Sequence, residues 1–555
     1  MPLGIRSKDA QLVIAYGALE DVLLGNAVST RELPPALYNH LNDECARKVR
    51  LYLEGLRKNL LNVMYGDLFR VGIHVPMQTM FEEATFQTSV DWDISNLCAS
   101  PGQPHASVIE QRKALPQGKT IIDKYRRGYS GFIKSLLLMG VAGSGKTTLQ
   151  ECIGLYALGQ GLSVLAVSLT AERANQIGGV HAHKLFCFGV KKYIGAGKMA
   201  ETAWVKLLTR PENFEAIHRV DVLLWDELLN CSDYFIHAVD MLFRMVKRNS
   251  RFMLGGVLLV GTGDRKQTQP IDGRPLLTSP LVIANFLMHE LENPVRASGD
   301  LPLQRIQAMR RLPASAWSNN ATCTEFGKLI GENCTFVDDI YNDRVPSNAV
   351  YVFSKCVPCR KAEAHILRRM KDKYPLQFVS REPFDTEKSM TQNESCAASP
   401  STVVLLNSKA NEPKHLGFYP FAHYEVTFND PGGNFFHSQI AMVLEELPSE
   451  EDLTIWKPID IYIAPAGVKT FPANGVSKPQ LYSMGGKRVQ IGKSRENVYH
   501  LGFRGLTAKR QQYGLKPRIA TTIHGLQGDT VTAIVTKITG NDGLWESGQG
   551  TVLLS

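Results

Sequence analysis

The residues with the clearest chemistry are Gly140-Val141-Ala142-Gly143-Ser144-Gly145-Lys146-Thr147-Thr148, which fill every fixed position of G-x-x-x-x-G-K-[ST]. Glycines at this spacing let backbone N–H groups wrap a chain of phosphates, and the positive end of a following helix favours the same anions. Lys146 is the residue expected to reach the terminal phosphates, and Thr147 supplies the hydroxyl expected to ligate Mg²⁺. A second chemical centre is Val220-Asp221-Val222-Leu223-Leu224-Trp225-Asp226-Glu227, an apolar run that ends in two adjacent acids. In a phosphate-loop enzyme such a pair divides the work: Asp226 holds Mg²⁺ through water, and Glu227 orients or deprotonates the attacking water. A third run, Val257-Leu258-Leu259-Val260, delivers Gly261-Thr262-Gly263-Asp264-Arg265-Lys266-Gln267, in which Gln267 has the chemistry to sense a terminal phosphate. His181 and His183 have alternate spacing, but no third or fourth ligand lies near them in sequence, which argues against a metal site there.

These groups need elements to position them. Leu136-Leu137-Leu138-Met139 reads as a buried strand before the phosphate loop, and Thr148 to about Gly159 as the helix after it. Val164-Leu165-Ala166-Val167 is a second buried strand, and Phe235, Val239, Leu242 and Val246 mark a helix packed on the sheet. Val49, Leu53, Leu56 and Leu60 recur at helical spacing among Arg47, Lys48, Arg50, Arg57 and Lys58. The first 105 residues are therefore expected to be mainly helical, with the basic residues on a solvated face. Pro101, Gly102, Pro104 and Pro116 make 96–117 read as a linker that holds a domain boundary.

The whole chain sets outer bounds. Its 555 residues exceed the size of a single core, so several domains are expected. Hydrophobic content of 44% and charged content of 21% describe an ordinary globular protein, and the net charge of +9 suits a polyanion partner without requiring one. Ten cysteines have no framework spacing, and the close pair Cys356 and Cys359 lacks the second pair of a zinc site. Without a secretory signal or an apolar run of about 20 residues, a soluble intracellular protein is expected, nuclear if eukaryotic.

The order of motifs then carries a resemblance. The phosphate loop, the block from Thr170 to Phe186, Asp226-Glu227 and Gly263-Asp264-x-x-Gln267-x-x-Pro270-Ile271 are similar to the Pif/RecD-like branch of superfamily-one DNA helicases. Thr170, Ala174, Ile177, Gly179, His183 and Phe186 match the family block, whereas Ala171, Arg173 and His181 stand where the family prefers glycine, alanine and threonine. By this resemblance Thr170 and His183 contact single-stranded DNA, and Arg296 approaches the γ-phosphate. Thr522, His524, Gln527 and Gly528 resemble a later DNA-gripping block, with Gly525-Leu526 replacing its usual Lys-Ser. The chain ends at Leu554-Ser555, where the family pattern continues into an arginine, so the resemblance implies either a fragment truncated at the C-terminus or a defective copy.

The resemblance implies an α/β fold with two RecA-like P-loop domains, a small β-rich insertion in the second and a mainly helical N-terminal region. The expected division is 1–105, 106–345 and 346–555, with the insertion near 416–505. Val350-Tyr351-Val352-Phe353 reads as a strand and Arg360 to Lys371 as a helix, whereas Thr386 to Pro413 reads as a surface loop. The implied activity is ATP- and Mg²⁺-dependent 5′–3′ translocation on single-stranded DNA with unwinding of forked DNA, at no membrane. An RNA-directed motor and a non-motor, nucleotide-dependent binding protein are the rival readings.

Overall fold

The structure is a computed structural model. It describes residues 43–70 and 106–537, apart from 129–132, 190–194, 266–269, 271–272, 293, 295–300, 311, 338, 343–344, 347–348, 389–393, 411, 431–433, 444–445, 465–477, 484, 494–496, 501–505, 527–530 and 532. The chain divides into two compact units, Met1–Ile330 and Gly331–Leu554.

The first unit opens with helices α1 (Asp43–Arg70) and α2 (Ala106–Arg126). On α1, Val49, Leu60, Leu61 and Met64 are buried, and Leu53 and Leu56 pack, partly buried, against the core that holds Leu165, Val167 and Leu223. Arg47, Arg50, Arg57 and Lys58 are exposed, so the basic residues form the solvated side of an amphipathic helix. Helix α2 occupies much of the stretch read from sequence as a linker and runs straight through Pro116. An interior proline costs a helix about 3 kcal/mol. Burial of Ala114, Leu115 and Ile122 offsets that cost, and the Thr120 hydroxyl donates to the Pro116 carbonyl at 2.8 Å.

The sheet of this unit is built from β1 (Ser135–Gly140), β2 (Val164–Ser168), β3 (Val180–His181), β4 (Val222–Asp226), β5 (Leu258–Gly263) and β6 (Phe286–Leu291). Its order is β3-β2-β4-β5-β1-β6, and all neighbours run parallel. Between the strands lie α3 (Lys146–Gly159), α4 (Ala171–Gln176), α5 (Ala182–Leu185), α6 (Ala196–Leu207), α7 (Pro211–Arg219) and α8 (Asp233–Val246). Parallel strands covered on both faces read as continuous apolar runs, and successive residues feed opposite cores. Leu137, Leu223, Trp225 and Leu259 face the core under α8. Leu136, Leu138, Leu224 and Val260 face the one under α1, α2 and α3. The register sets Met139 beside Gly263 and Trp225 beside Gly261. Three chemistry-bearing loops therefore leave the sheet at one edge.

The second unit runs through β7 (Val350–Phe353), α9 (Cys356–Lys373), β8 (Val379–Arg381), β9 (Phe384–Lys388), β10 (Cys396–Ala397), α10 (Pro400–Lys409), β11 (Leu416–Phe418), β12 (His423–Val426), β13 (Ile440–Met442), α11 (Glu450–Thr454) and β14 (Ile459–Ile463). It continues with β15 (Lys487–Ile491), β16 (Asn497–His500), β17 (Thr507–Gln511), β18 (Leu515–Pro517), β19 (Ala520–Thr522) and β20 (Ile534–Thr536). Strand β7 lies between β19 and β20, parallel to both. Two antiparallel sheets, β15-β14-β13-β12-β18 and β10-β9-β17-β16, make the β-rich part. Helix α10 replaces part of the loop expected over 386–413. Its polar start is a cap, in which the Ser399 hydroxyl accepts from the Thr402 N–H, and its Leu406 is buried.

Candidate nucleotide-binding site

The phosphate loop leaves the buried end of β1 and enters α3 at Lys146. Two glycines there are demanded by geometry. A Cβ on Gly140 would lie 2.4 Å from the Leu291 carbonyl oxygen. Gly145 has φ of +79°, and a Cβ on it would lie 2.0 Å from Nε2 of Gln111. That glutamine is buried on α2 and donates to the Ser144 carbonyl at 3.1 Å, bracing the loop from below. Lys146 is also buried, and its Nζ donates to the carbonyls of Gly140 and Val141, each at 2.9 Å. Burial holds the Lys146 ammonium below its ordinary pKa, against the pull of Glu227, Asp264 and Asp226.

Strand β4 carries Asp226 to the same edge. Thr147 Oγ1 donates to Asp226 Oδ1 at 3.2 Å, and Thr262 Oγ1 donates to the same oxygen at 2.7 Å. Thr262 also accepts the Glu227 N–H at 3.0 Å, so one hydroxyl at the end of β5 ties both acids in place. Asp226 Oδ2 and Glu227 Oε2 are buried and lack hydrogen-bond partners among the described residues. Glu227 has φ of 55°, a left-handed conformation that costs a non-glycine residue on the order of 1–3 kcal/mol and is held by its surroundings. Burial raises its pKa, Asp226 raises it further, and Arg173 and Lys146 oppose the shift.

The site is therefore built by Lys146, Thr147, Asp226 and Glu227, with buried Asp264 electrostatically close to Lys146 and Glu227. Ser144 is buried behind the loop, while Gly143 and Thr148 are half-buried. Gln267 and Arg296 lie outside the described residues. Sequence reasoning missed Gln111 and Thr262. The signal for Thr262 was a hydroxyl inside an otherwise apolar strand, and that for Gln111 was hidden by reading α2 as a linker.

The residues expected at nucleic acid are spread over both units. Thr170 caps α4, its hydroxyl accepting the Arg173 N–H at 3.3 Å. His183 stacks on His181 with centroids 5.3 Å apart and meets Phe235 at 5.0 Å. Burial, with a smaller effect from His181, pushes the His183 imidazole down to about 4, so it is neutral at pH 7. Thr522 ends β19 in the second unit, where its hydroxyl accepts the Gly525 N–H at 3.1 Å. The backbone of His524 lies in the following helical turn; its side chain and all of Gln527 lie outside the described residues.

Residues 110–282 match the model of the PIF1-like helicase family. Over this stretch the chain is similar to PIF1-like helicases. The PIF1-like match begins one residue before Gln111 and takes in the phosphate loop, Asp226-Glu227 and Thr262. Among solved structures, Pif1 helicase from Candida albicans has 17% identity and a TM-score of 0.54, covering 80% of this chain and 91% of that one. A structure of two coordinating Pif1 helicases at forked double-stranded DNA has 16% identity and a TM-score of 0.51, covering 80% and 88%. At this identity the likeness is one of fold: an α/β protein with RecA-like domains. No curated protein matches the chain by sequence.

Proposed function

We propose that the chain is an ATP-dependent DNA helicase that couples hydrolysis to 5′–3′ movement along a single strand and to duplex unwinding. The observation that carries this reading is the convergence of Lys146, Thr147, Asp226 and Glu227 inside a PIF1-like domain.

In this reading the loop N–H groups cradle the phosphates, and Lys146 exchanges its two loop carbonyls for phosphate oxygens. Glu227 accepts a proton from the attacking water, held for that task by the Thr262 hydroxyl on its N–H. Thr147 and Asp226 would hold Mg²⁺, and the buried, unpartnered Asp226 Oδ2 beside a threonine hydroxyl fits a cation-binding role. When bound, the ion supplies neutralisation of phosphate charge. Gln267 would sense the terminal phosphate, and Arg296 would stabilise the transferring group. Thr170, His183, Thr522, His524 and Gln527 are assigned to single-stranded DNA.

The test is ATP hydrolysis with and without single-stranded DNA, together with unwinding of a forked substrate carrying a 5′ tail. DNA-stimulated turnover that Lys146→Ala abolishes is the expected result. Turnover stimulated equally by RNA, or nucleotide binding without stimulated turnover, overturns the DNA-motor reading.

A further inference from the structure

We propose a second contact for a single DNA strand, built around Trp456 on the β-rich part of the second unit and resting on the helicase reading above. Trp456 follows α11 and is half-buried, with φ of 60°, a left-handed conformation uncommon for a bulky residue. Strain of this kind persists only where surrounding structure over-determines it, and it concentrates at functional positions. Here the surroundings are explicit. The Tyr513 ring packs on Trp456 at 5.2 Å, and its hydroxyl donates to the Lys457 carbonyl at 2.9 Å. Tyr513 itself is fully buried against Phe418, so the indole stands on a fixed base.

Two cations from separate elements converge on this one ring. The Arg381 guanidinium, at the end of β8, lies 4.4 Å from the indole centroid, and the Lys493 ammonium, just after β15, lies 5.3 Å from it. Neither forms an ion pair with a described residue. The carboxylate of Asp452 is engaged by Lys457 at 2.9 Å. Arg381 Nε is buried and has no hydrogen-bond partner among the described residues. Two like charges beside a single indole, neither with an ion-pair partner among the described residues, favour an anionic ligand here. An aromatic face flanked by basic groups is the arrangement that holds a phosphodiester backbone and tolerates any base sequence.

The experiment measures binding of a fluorescent single-stranded oligonucleotide by anisotropy across a salt series, on the full chain and on Arg381→Gln with Lys493→Gln. Thermal melting reports whether the double variant is folded, and Arg381→Lys keeps one charge without the planar fork. The site predicts affinity lower by about tenfold at low salt and a log–log salt slope reduced by roughly 0.7 for each phosphate that the variant no longer neutralises. Arg381→Lys should fall between the two. Separately, DNA should quench tryptophan fluorescence in the wild type, and Trp456→Phe should lose part of that quench. An unchanged slope and quench in folded variants, with a wild type that does bind DNA, overturns this site and leaves the helicase reading standing. A wild type that binds no single strand overturns the helicase reading itself.

Discussion

Thr262 shows how a single hydroxyl can govern two acids. It is fully buried, donates to Asp226 and accepts from the Glu227 N–H. Thr262→Val keeps the shape and removes both bonds, leaving the Glu227 N–H without its partner and Asp226 Oδ1 with only the longer bond from Thr147. Loss of a charge-assisted bond is worth about 1.5–3 kcal/mol, so ATP turnover should fall on the order of 10- to 100-fold. Thr262→Ser should keep most of the rate, and steady-state hydrolysis separates the two. Arg173 offers a second test. Its charge opposes the upward shift of Glu227, so Arg173→Ala should raise the Glu227 pKa further. The base must be ionised to act, and turnover is lost as pH falls through its pKa. The acid limb of turnover against pH should therefore move to higher pH, while the rate well above it changes less. An acid limb that stays in place would show that Glu227 does not control it.

At the scale of elements, the loop between β1 and α3 is shaped by a neighbour that lies far away in sequence. Gly145 combines positive φ with direct contact to Gln111 of α2. Gly145→Ala should weaken nucleotide binding and lower stability by at least about 1 kcal/mol. Adding Gln111→Ala should recover only the part due to the clash, and chemical denaturation of the single and double variants measures that part. The phosphate loop and the strand-borne acids were legible because their chemistry demands fixed residue types at fixed spacing. Likewise β1, β2, β4, β5 and β7 were legible because buried parallel strands are apolar throughout. Helices α2 and α10 were not, since Pro116 and the polar run at Ser399 are loop signals that tertiary burial and a cap convert into helix. Neither Gln111 nor the Trp456 cluster follows a local pattern, because each is assembled from separate elements. His183, after β3, adds a pH effect. Its ordinary pKa near 6.5 falls to about 4 in the fold, so the unfolded chain binds the proton more readily between those values. Its contribution is neutral above 6.5 and becomes destabilising as pH drops towards 4, by up to about 3 kcal/mol. His183→Gln should flatten that part of the decline in melting temperature, while His181 and His218, shifted in the same direction, retain theirs.

For the molecule as a whole, each of the two units has its own hydrophobic cores. The groups assembled around the phosphate loop all come from the first. A ligand stabilises what it binds by RT ln(1 + [L]/Kd), which is about 2.7 kcal/mol at a hundredfold excess over Kd. ADP, whose phosphates the loop can hold, should therefore slow global amide exchange in β1, β4 and β5 by up to about 100-fold. Exchange in β12, β13 and β14 should change far less, because their protection comes from the core of Phe418, Tyr424, Ile461 and Tyr513. Hydrogen exchange followed by mass spectrometry reads both regions in one sample, and Lys146→Ala should abolish the slowing in β1. Equal slowing in both sets of strands would show that the units unfold as one cooperative body. Slowing confined to the first unit would show that nucleotide binding energy acts on its sheet and leaves β12, β13 and β14 of the second unit unprotected by it.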